Sequence, residues 1–385
     1  MTMDIEAFRN KPAGELIRTM DGNWAYIPAP LPPKIDLARL AKPLAKAMHQ
    51  LGELKGASRR TQNPYIFIRP LQRWEALTSS AMEGTYTNIE DLVLEEEGIA
   101  PNRSEEARET ANYGTALRRA IGQLKELPIS HRLIKEAHRQ LLSGLSDERG
   151  SNKRPGEYKI HQNWIGGAKQ IESARFVPPP PDRTQTCMDQ LEKYINRGVD
   201  EPADKLLDLA LVHYQFETIH PFADGNGRIG RMLITLMAQQ SGLLDLPMLY
   251  LSPYLDEHKN EYIDKMFNVS ANSRWEDWID FFLNAISETC KAATITIDQL
   301  NSLHAQYRAK AASAGRSAKL MLIVDQLFES PYLTVPRTQE KFRITYRAAQ
   351  LILEKLVSAG ILKELPGTYP KYYYAPEVLA ISKGQ

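Results

Sequence analysis

The stretch His220-Pro-Phe-Ala-Asp-Gly-Asn-Gly-Arg-Ile-Gly-Arg231 lies between two segments of helical periodicity. Its turn, Gly225-Asn-Gly227, tolerates backbone angles that other residues avoid, and the N–H groups of the helix that follows can bind an anion. The periodicity places Arg228 and Arg231 at i, i+3 in the first turn of that helix, where the helix dipole disfavours cations. Together these features predict a site for a polyanionic, phosphate-bearing ligand.

Two further side chains in this stretch have reactive chemistry. His220 precedes Pro221, which biases it out of the helical region and turns its imidazole toward the loop, where it can act as a general base near neutral pH. Asp224 offers a hard oxygen ligand that suits Mg²⁺ beside phosphates. The stretch therefore predicts transfer chemistry on a nucleoside triphosphate.

The segment Gly225 to Gly230 also reads G-x-G-x-x-G, the dinucleotide-binding pattern, which requires a preceding strand. Residues 203–218 have helical periodicity instead, with Leu207, Leu211 and Tyr214 on one face, so this alternative is disfavoured. A single histidine or a single arginine, taken alone, commonly has a structural role only. A structural explanation of the whole stretch would need four independent coincidences.

Outward from this stretch, most of the chain has apolar residues at three- and four-residue spacing, which indicates α-helices. Predicted helices cover residues 37–48, 71–82, 105–124, 130–142, 184–196, 203–218, 228–240, 258–270 and 275–311. The first 35 residues are rich in proline and are predicted to form an irregular arm. The fold class is therefore mainly α.

Two regions depart from this pattern. Residues 158–177 contain Gly166-Gly167 between two short extended runs and predict a β-hairpin. After the small-residue linker at 311–316, helices at 318–328, near 338 and at 345–358 precede short strands at 361–364 and 372–374. That order predicts a small α+β winged helix-turn-helix domain.

Composition excludes several classes of protein. The 385 residues carry a formal net charge of +1, so no global field attracts nucleic acid, and 43% hydrophobic with 25% charged residues argues against disorder. Two cysteines are too few for a disulfide framework. No apolar run is long enough to span a membrane, and no basic, apolar leader is present. We expect a soluble, cytoplasmic protein.

Residues 220–231 match H-P-F-x-[DE]-G-N-G-R-x-x-R at every specified position, and over about residues 60–300 the chain resembles the Fic family. The resemblance implies a Fic-type helical bundle with a β-hairpin flap, which transfers AMP from ATP to a hydroxyl side chain of a target protein or of itself. In that scheme His220 is the catalytic base and Asp224 binds Mg²⁺. The implied ATP-binding residues of the motif are Asp224, Gly225, Asn226, Gly227, Arg228, Ile229, Gly230 and Arg231, with Arg231 at the γ-phosphate.

The resemblance assigns two further contacts with the nucleotide. The 158–177 hairpin corresponds to the flap that aligns the target's backbone, with Ile165 and Gly166 nearest to the nucleotide. Tyr262, on the helix after the motif, is expected to contact the nucleoside.

Residues Ser79-Ser-Ala-Met-Glu-Gly84 match the family's inhibitory pattern [ST]-x-x-x-E-[GN], with Ser79 and Glu83 at its key positions. The resemblance implies that Glu83 pairs with Arg231, which prevents the γ-phosphate from binding productively. The same glutamate could orient a water that removes AMP from a modified target. The sequence leaves the direction of transfer open.

The predicted domains are residues 1–104, an N-terminal arm and helical region with the inhibitory helix, residues 105–312, the catalytic core, and residues 317–385, the winged helix. Homodimerisation is common in the family, and the mildly basic winged helix could contact DNA. Two alternative functions remain: a DNA-binding regulator that only senses ATP, and Fic-type transfer of another phosphate-containing group.

Overall fold

A computed structural model of the chain describes residues 3–61, 65–98, 104–167, 170–315, 317–366 and 371–382. It is mainly α-helical with two small antiparallel sheets, which confirms the predicted fold class. Within these residues, no helix is both long enough and apolar enough to cross a membrane. Both cysteines, Cys187 and Cys290, are buried free thiols.

Among the described residues, twelve α-helices precede the predicted linker. They are α1 (Ile5–Phe8), α2 (Leu37–Arg60), α3 (Tyr65–Met82), α4 (Ile89–Glu96), α5 (Glu105–Gln123), α6 (His131–Leu141), α7 (Pro181–Ile195), α8 (Pro202–Ile219), α9 (Asn226–Gln240), α10 (Ser252–Glu257), α11 (Lys259–Asn272) and α12 (Trp275–Ala314). After it come α13 (Ala318–Glu329), α14 (Val335–Phe342), α15 (Tyr346–Ser358) and α16 (Pro376–Ser382). The described part of the chain contains five strands, β1 (Gly14–Arg18), β2 (Trp24–Pro28), β3 (Tyr332–Thr334), β4 (Lys363–Leu365) and β5 (Tyr372–Tyr374).

Local sequence explains where many helices begin. Asp36, Ser104 and Ser130 each accept a hydrogen bond from a backbone N–H in the first turn of α2, α5 and α6. The helices α7 and α8 begin with Pro181 and Pro202, since proline lacks only an N–H that the first turn does not use.

Helix α8 runs through the core, because every residue from Leu206 to Ile219 is buried. Trp278 of α12, also buried, donates from its indole nitrogen to the carbonyl oxygen of Ala210 at 3.0 Å. The loop at the end of α8 therefore starts from a rigid element, which suits a site that needs fixed geometry.

The prediction of an irregular N-terminal arm is wrong for residues 14–28. Strands β1 and β2 form an antiparallel hairpin, and Gly22 in its turn has φ of +80°, which glycine adopts without strain. Phe8 and Tyr26 are fully buried and pack against Phe176. Pro28 is the last residue of β2, and the prolines at 30, 32 and 33 follow the hairpin.

The predicted flap hairpin forms only in part. An antiparallel bridge joins Ile165 to Phe176, and a 3-10 turn occupies Ile171–Ser173. Gly166 and Gly167 have φ of +68° and +90°, so two consecutive left-handed residues turn the chain where regular strands would continue. Residues 168 and 169 lie outside the described residues.

The C-terminal elements follow the predicted order, with an additional strand β3 before α14. The three-stranded sheet has the order β3-β5-β4, and both pairs are antiparallel. Helices α13 and α16 pack against α3, and the ring of Phe328 meets that of Phe67 edge-on at 6.1 Å. Residues 367–370, at the predicted wing, and Arg316, in the predicted linker, lie outside the described residues.

Candidate active site

His220 caps the C-terminus of α8 in the left-handed conformation, with φ of 49° and ψ of 60°. Its backbone N–H donates to the carbonyl oxygen of Phe216 at 2.9 Å, and Pro221 prevents the helix from continuing. The expectation that His220 leaves the helical conformation is met.

The loop from Phe222 to Asn226 is closed by the Asn226 side chain. Its Oδ1 accepts from the N–H of Phe222 at 2.8 Å, and its Nδ2 donates to the carbonyl of Phe222 at 2.9 Å. Both ends of this amide therefore hold the loop closed in front of α9.

A second histidine fixes the loop from outside. The His138 ring stacks on Phe222 with centroids 3.8 Å apart. Its Nδ1 accepts from the N–H of Gly156 at 2.9 Å, so Nε2 carries the proton and donates to the carbonyl of Asp224 at 3.0 Å. Burial lowers the pKa of His138 to about 4, which keeps this tautomer neutral.

Helix α9 begins at Asn226, directly after Gly225, which has φ of +74°. Arg228 therefore lies in the first turn, but Arg231 lies in the second, which corrects the predicted placement of both in the first. Ile229 is a core residue with 1% exposure. Gly230 packs against the carboxyl group of Glu217, which leaves no room for a Cβ.

Arg231 is held by the end of α3. Its Nη2 donates to Glu83 Oε1 at 2.7 Å and to the carbonyl of Ser79 at 2.8 Å, and its Nε donates to Ser79 Oγ at 2.9 Å. Burial alone would raise the pKa of Glu83, but Arg231 holds it below the usual value. Burial alone would lower the pKa of Arg231, but Glu83 raises it. The two groups are therefore a fully ionised pair.

Arg228 is 2% exposed and forms an ion pair with Glu109 of α5. Glu109 also pairs with Arg149 at 3.2 Å. No hydrogen bond to the Arg228 Nε is found within the described residues. The predicted phosphate-binding arginine is thus anchored by a buried carboxylate that sequence analysis missed.

One cavity brings most of the predicted residues together. It is lined by His220, Gly227, Arg231, Glu83, Ile165 and Tyr262, with an apolar wall of Phe176, Ile263, Met266 and Phe267. Gly166 is exposed beside it. The Tyr262 hydroxyl lies 2.9 Å from His213 Nε2, while His213 Nδ1 lies 3.2 Å from the carbonyl of Gly230. Because that carbonyl only accepts, Tyr262 donates to His213.

The His220 imidazole is prepared to accept a proton. Burial, together with the positive charge of Lys159, lowers its pKa to about 4. Its Nδ1 lies 3.2 Å from the carbonyl oxygen of Glu217, so Nδ1 carries the proton and Nε2 is the free acceptor.

Asp224 has a half-exposed carboxylate that accepts from the N–H of Gly225 at 2.6 Å. The described residues contain no group of three or more histidines, cysteines and carboxylates that could hold a metal. A single carboxylate still fits Mg²⁺, which keeps several waters and takes its other ligands from substrate phosphates.

Glu217 is a further cavity residue that sequence analysis missed. Its Oε1 is buried, and no described residue hydrogen-bonds to it. Burial raises the pKa of Glu217 to about 8, Arg231 opposes that shift, and the charge of Glu83 adds to it. Its position one turn before His220 was the only signal in the sequence.

Comparison with known families identifies this arrangement. The family model described as Fic/DOC family matches residues 128–238, which include the motif, and the one described as Fic/DOC family N-terminal matches residues 41–122, which include Glu83. Together the two matches extend over half of the chain. The chain belongs to the Fic/DOC family.

Curated relatives of this Fic protein match over shorter segments. "Protein adenylyltransferase Fic" of Drosophila willistoni is 30% identical over 119 residues, which are 31% of this chain and 21% of that protein. A "probable protein adenylyltransferase" of Aquifex aeolicus is 27% identical over 180 residues, which are 47% of this chain and 52% of that protein. The chain thus spans about a fifth of the first relative and about half of the second.

Two solved structures share the fold. A Fic family protein from Desulfovibrio desulfuricans G20 superposes with a TM-score of 0.56 at 18% identity, over 90% of this chain and 98% of its own. A Fic domain containing signaling protein from Bacteroides thetaiotaomicron has a TM-score of 0.52 at 20% identity, over 66% of this chain and 97% of its own. The match to the first covers nearly the whole Fic protein described here.

Proposed function

We propose that this Fic protein transfers AMP from ATP to the hydroxyl of a serine, threonine or tyrosine, on a target protein or on itself, and that Glu83 inhibits the transfer. The observation that carries the proposal is the Glu83–Arg231 pair, which lies in the same cavity as His220 and the N-terminus of α9. Relatives named protein adenylyltransferase support the choice of AMP.

The reaction uses residues that line this cavity. The target oxygen attacks the α-phosphorus, the bond from that phosphorus to the bridging oxygen breaks, and pyrophosphate leaves. The hydroxyl proton passes to His220 Nε2. The N–H groups at the start of α9 stabilise the charge on the phosphates. Asp224 would hold Mg²⁺, which would neutralise phosphate charge.

Glu83 inhibits because it binds Arg231, the residue that would otherwise bind the γ-phosphate. Three of the five N–H donors of Arg231 are used by Glu83 Oε1 and by the Oγ and carbonyl of Ser79. A γ-phosphate at Arg231 would approach the Glu83 carboxylate, and two anions repel at that distance. ATP therefore binds productively only when Glu83 leaves Arg231.

The proposal is tested by intact mass of the full chain after incubation with ATP and Mg²⁺. Glu83→Gly should gain the mass of AMP, the native protein should gain far less, and Glu83→Gly with His220→Ala should gain none. Glu126→Gly is the matched control, because Glu126 is an exposed glutamate in a turn after a helix.

Each outcome decides between candidate functions. A mass gain of one phosphate would mean that the transferred group is phosphate and not AMP. If Glu83→Gly carries no adduct and modifies no protein of a cell extract with labelled ATP, the transferase proposal fails and an ATP-sensing regulator replaces it. Loss of AMP from a modified target in the presence of the native protein would add the reverse reaction.

We infer that residues 317–385 form a winged helix-turn-helix domain, separate from residues 1–104 and 105–312. The order α13, β3, α14, α15, β4, β5 supports this inference. Arg343, Tyr346, Arg347 and Lys355, on or just before α15, are exposed, which favours a surface for DNA phosphates. Binding of the full chain to duplex DNA at low salt should weaken steeply as salt rises, and absence at low salt would exclude it.

A further inference from the structure

The flap stem, residues 159–163, hydrogen-bonds to the backbone on either side of Pro221. Asn163 Nδ2 donates to the carbonyl oxygen of His220 and to that of Phe222, both at 3.0 Å. A carbonyl oxygen only accepts, so the amide nitrogen must face the loop. One side chain thus bridges the carbonyls before and after Pro221.

Lys159 completes this contact. Its backbone N–H donates to the carbonyl of Pro221 at 2.8 Å, and its Nζ donates to the carbonyl of Ile219 at 3.2 Å. The same Nζ donates to Asn163 Oδ1 at 2.7 Å, which orients the amide. All four consecutive carbonyls from residue 219 to residue 222 therefore accept a hydrogen bond from Lys159 or Asn163, a pair named here the stem clamp.

The stem clamp acts on a residue whose backbone needs support. His220 has φ of 49°, a left-handed conformation that a non-glycine residue keeps only when its surroundings impose it. That conformation directs the imidazole into the cavity that also contains Arg231 and Glu83.

We infer that Lys159 and Asn163 are positioning residues, which set the main-chain conformation of His220 and so align its imidazole with the hydroxyl bound at the flap. This inference rests on the proposed transferase function. Asn163 lies two residues before Ile165, which pairs with Phe176, so one segment carries both the flap and the clamp. The base and its substrate are thereby located by the same piece of backbone.

Alignment of this kind affects the chemical step more than nucleotide binding. A misplacement of about 1 Å between reacting groups lowers a rate on the order of a hundredfold. The N-terminus of α9 and Arg231 make no hydrogen bond to the clamp residues, so their affinity for ATP should persist when the clamp is lost.

The first test compares Asn163→Asp with Asn163→Ala in the Glu83→Gly full-length protein. Aspartate keeps the shape of the side chain and still accepts from Lys159, but its oxygens cannot donate to the two carbonyls. We expect the rate at saturating ATP to fall at least tenfold in both variants, with KM for ATP within twofold and with both variants still folded at the assay temperature. Asn301→Asp is the matched control, because Asn301 donates one hydrogen bond to Thr61 outside the loop and the flap.

Opposite results would overturn the inference. A normal rate in both variants would exclude a positioning role, and a parallel loss of ATP affinity and melting temperature would assign Asn163 to folding alone. If the Glu83→Gly parent itself transfers no AMP, the proposed function has failed, and the inference is then judged by structure. His220 in Asn163→Ala should lose its left-handed backbone in a crystal structure, and an unchanged φ would refute the inference.

The second test measures charge rather than shape. The charged groups that face His220 are Lys159 from the flap stem, Glu83 from the end of α3 and Asp224 from the motif loop. Removal of the lysine charge in Lys159→Met should raise the pKa of His220, so the acidic limb of the rate–pH profile should move to higher pH. A rate–pH profile that superposes on that of the Glu83→Gly parent would show that Lys159 does not act on His220.

Discussion

Arg231 and Glu83, 148 residues apart in sequence, are joined by a hydrogen bond of 2.7 Å between Nη2 and Oε1. The Arg231 guanidinium is almost completely buried, whereas the Glu83 side chain keeps 36% of its surface exposed. The glutamate is therefore the partner that can leave, because it returns to solvent when the pair separates, while the arginine stays fixed by Ser79.

Charge, more than shape, should determine the strength of this inhibition. Glu83→Gln keeps an acceptor for Arg231 but removes the negative charge that repels a γ-phosphate, so its AMP transfer should lie between those of native protein and Glu83→Gly. Steady-state rates at saturating ATP for the three proteins test this order. Equal rates in Glu83→Gln and native protein would show that steric exclusion by the side chain is sufficient.

Two adjacent serines on α3 should differ sharply in their effect on stability. Ser79 Oγ accepts from the Arg231 guanidinium, whereas no described residue hydrogen-bonds to Ser80 Oγ, although both side chains are fully buried. Ser79→Ala should lower the free energy of unfolding by about 1.5–3 kcal/mol, the range for hydrogen bonds to charged groups. Ser80→Ala should be neutral or slightly stabilising. Urea denaturation of both variants measures the difference, and equal losses would contradict the assigned contacts.

The ion pair of Glu109 with Arg228 should contribute strongly to the stability of the folded state. Glu109→Leu leaves a buried guanidinium without its main partner, a change that typically costs about 3–5 kcal/mol. Glu106→Leu is the matched control, since Glu106 pairs with the same Arg149 but at the surface, where such pairs contribute about 0–1 kcal/mol. Denaturant midpoints of the two variants should therefore differ clearly, and similar midpoints would mean that Arg228 finds another anion.

The motif predicted the backbone of the loop between α8 and α9, because that conformation is determined by residues within the motif. Pro221 ends α8 at His220, and Gly225 permits the turn that starts α9, so these positions follow from backbone sterics alone. The Glu83–Arg231 pair also came from a motif, through a resemblance rather than through physical reasoning. Glu109 and Asn163 carry no local signal, because their roles appear only when α5 and the flap stem reach the loop.

For the fold, too, local patterns were predicted from the sequence and contacts between distant residues were not. Helical periodicity located the long helices to within a few residues at most ends, because each buries one face. The β1–β2 hairpin was missed, since prolines at 28–33 suggested irregular structure, yet the hairpin lies against Val177, whose carbonyl accepts from the N–H of Tyr26 at 2.9 Å. Partners of that kind, 151 residues apart, are set by tertiary packing that a single sequence does not display.

Glu217 should make the stability of the protein depend on pH in a way that one substitution removes. In the unfolded chain its pKa is about 4.3, while burial raises it to about 8 in the folded protein. Between these two values the folded state binds the proton and the unfolded state releases it, so stability falls as pH rises, by about 1.4 kcal/mol per unit at most. Above pH 8 the loss is complete, and below pH 4 it is absent.

Glu217→Gln keeps the size of the side chain and cannot ionise, so it should remove this part of the pH dependence. The variant should be nearly as stable as native protein at pH 4.5 and more stable at pH 8, by a few kcal/mol. Denaturant unfolding of both proteins at several pH values isolates the effect, because all other titrating groups are common to the pair. A constant difference in unfolding free energy from pH 4.5 to pH 8 would mean that Glu217 is ionised in the folded protein.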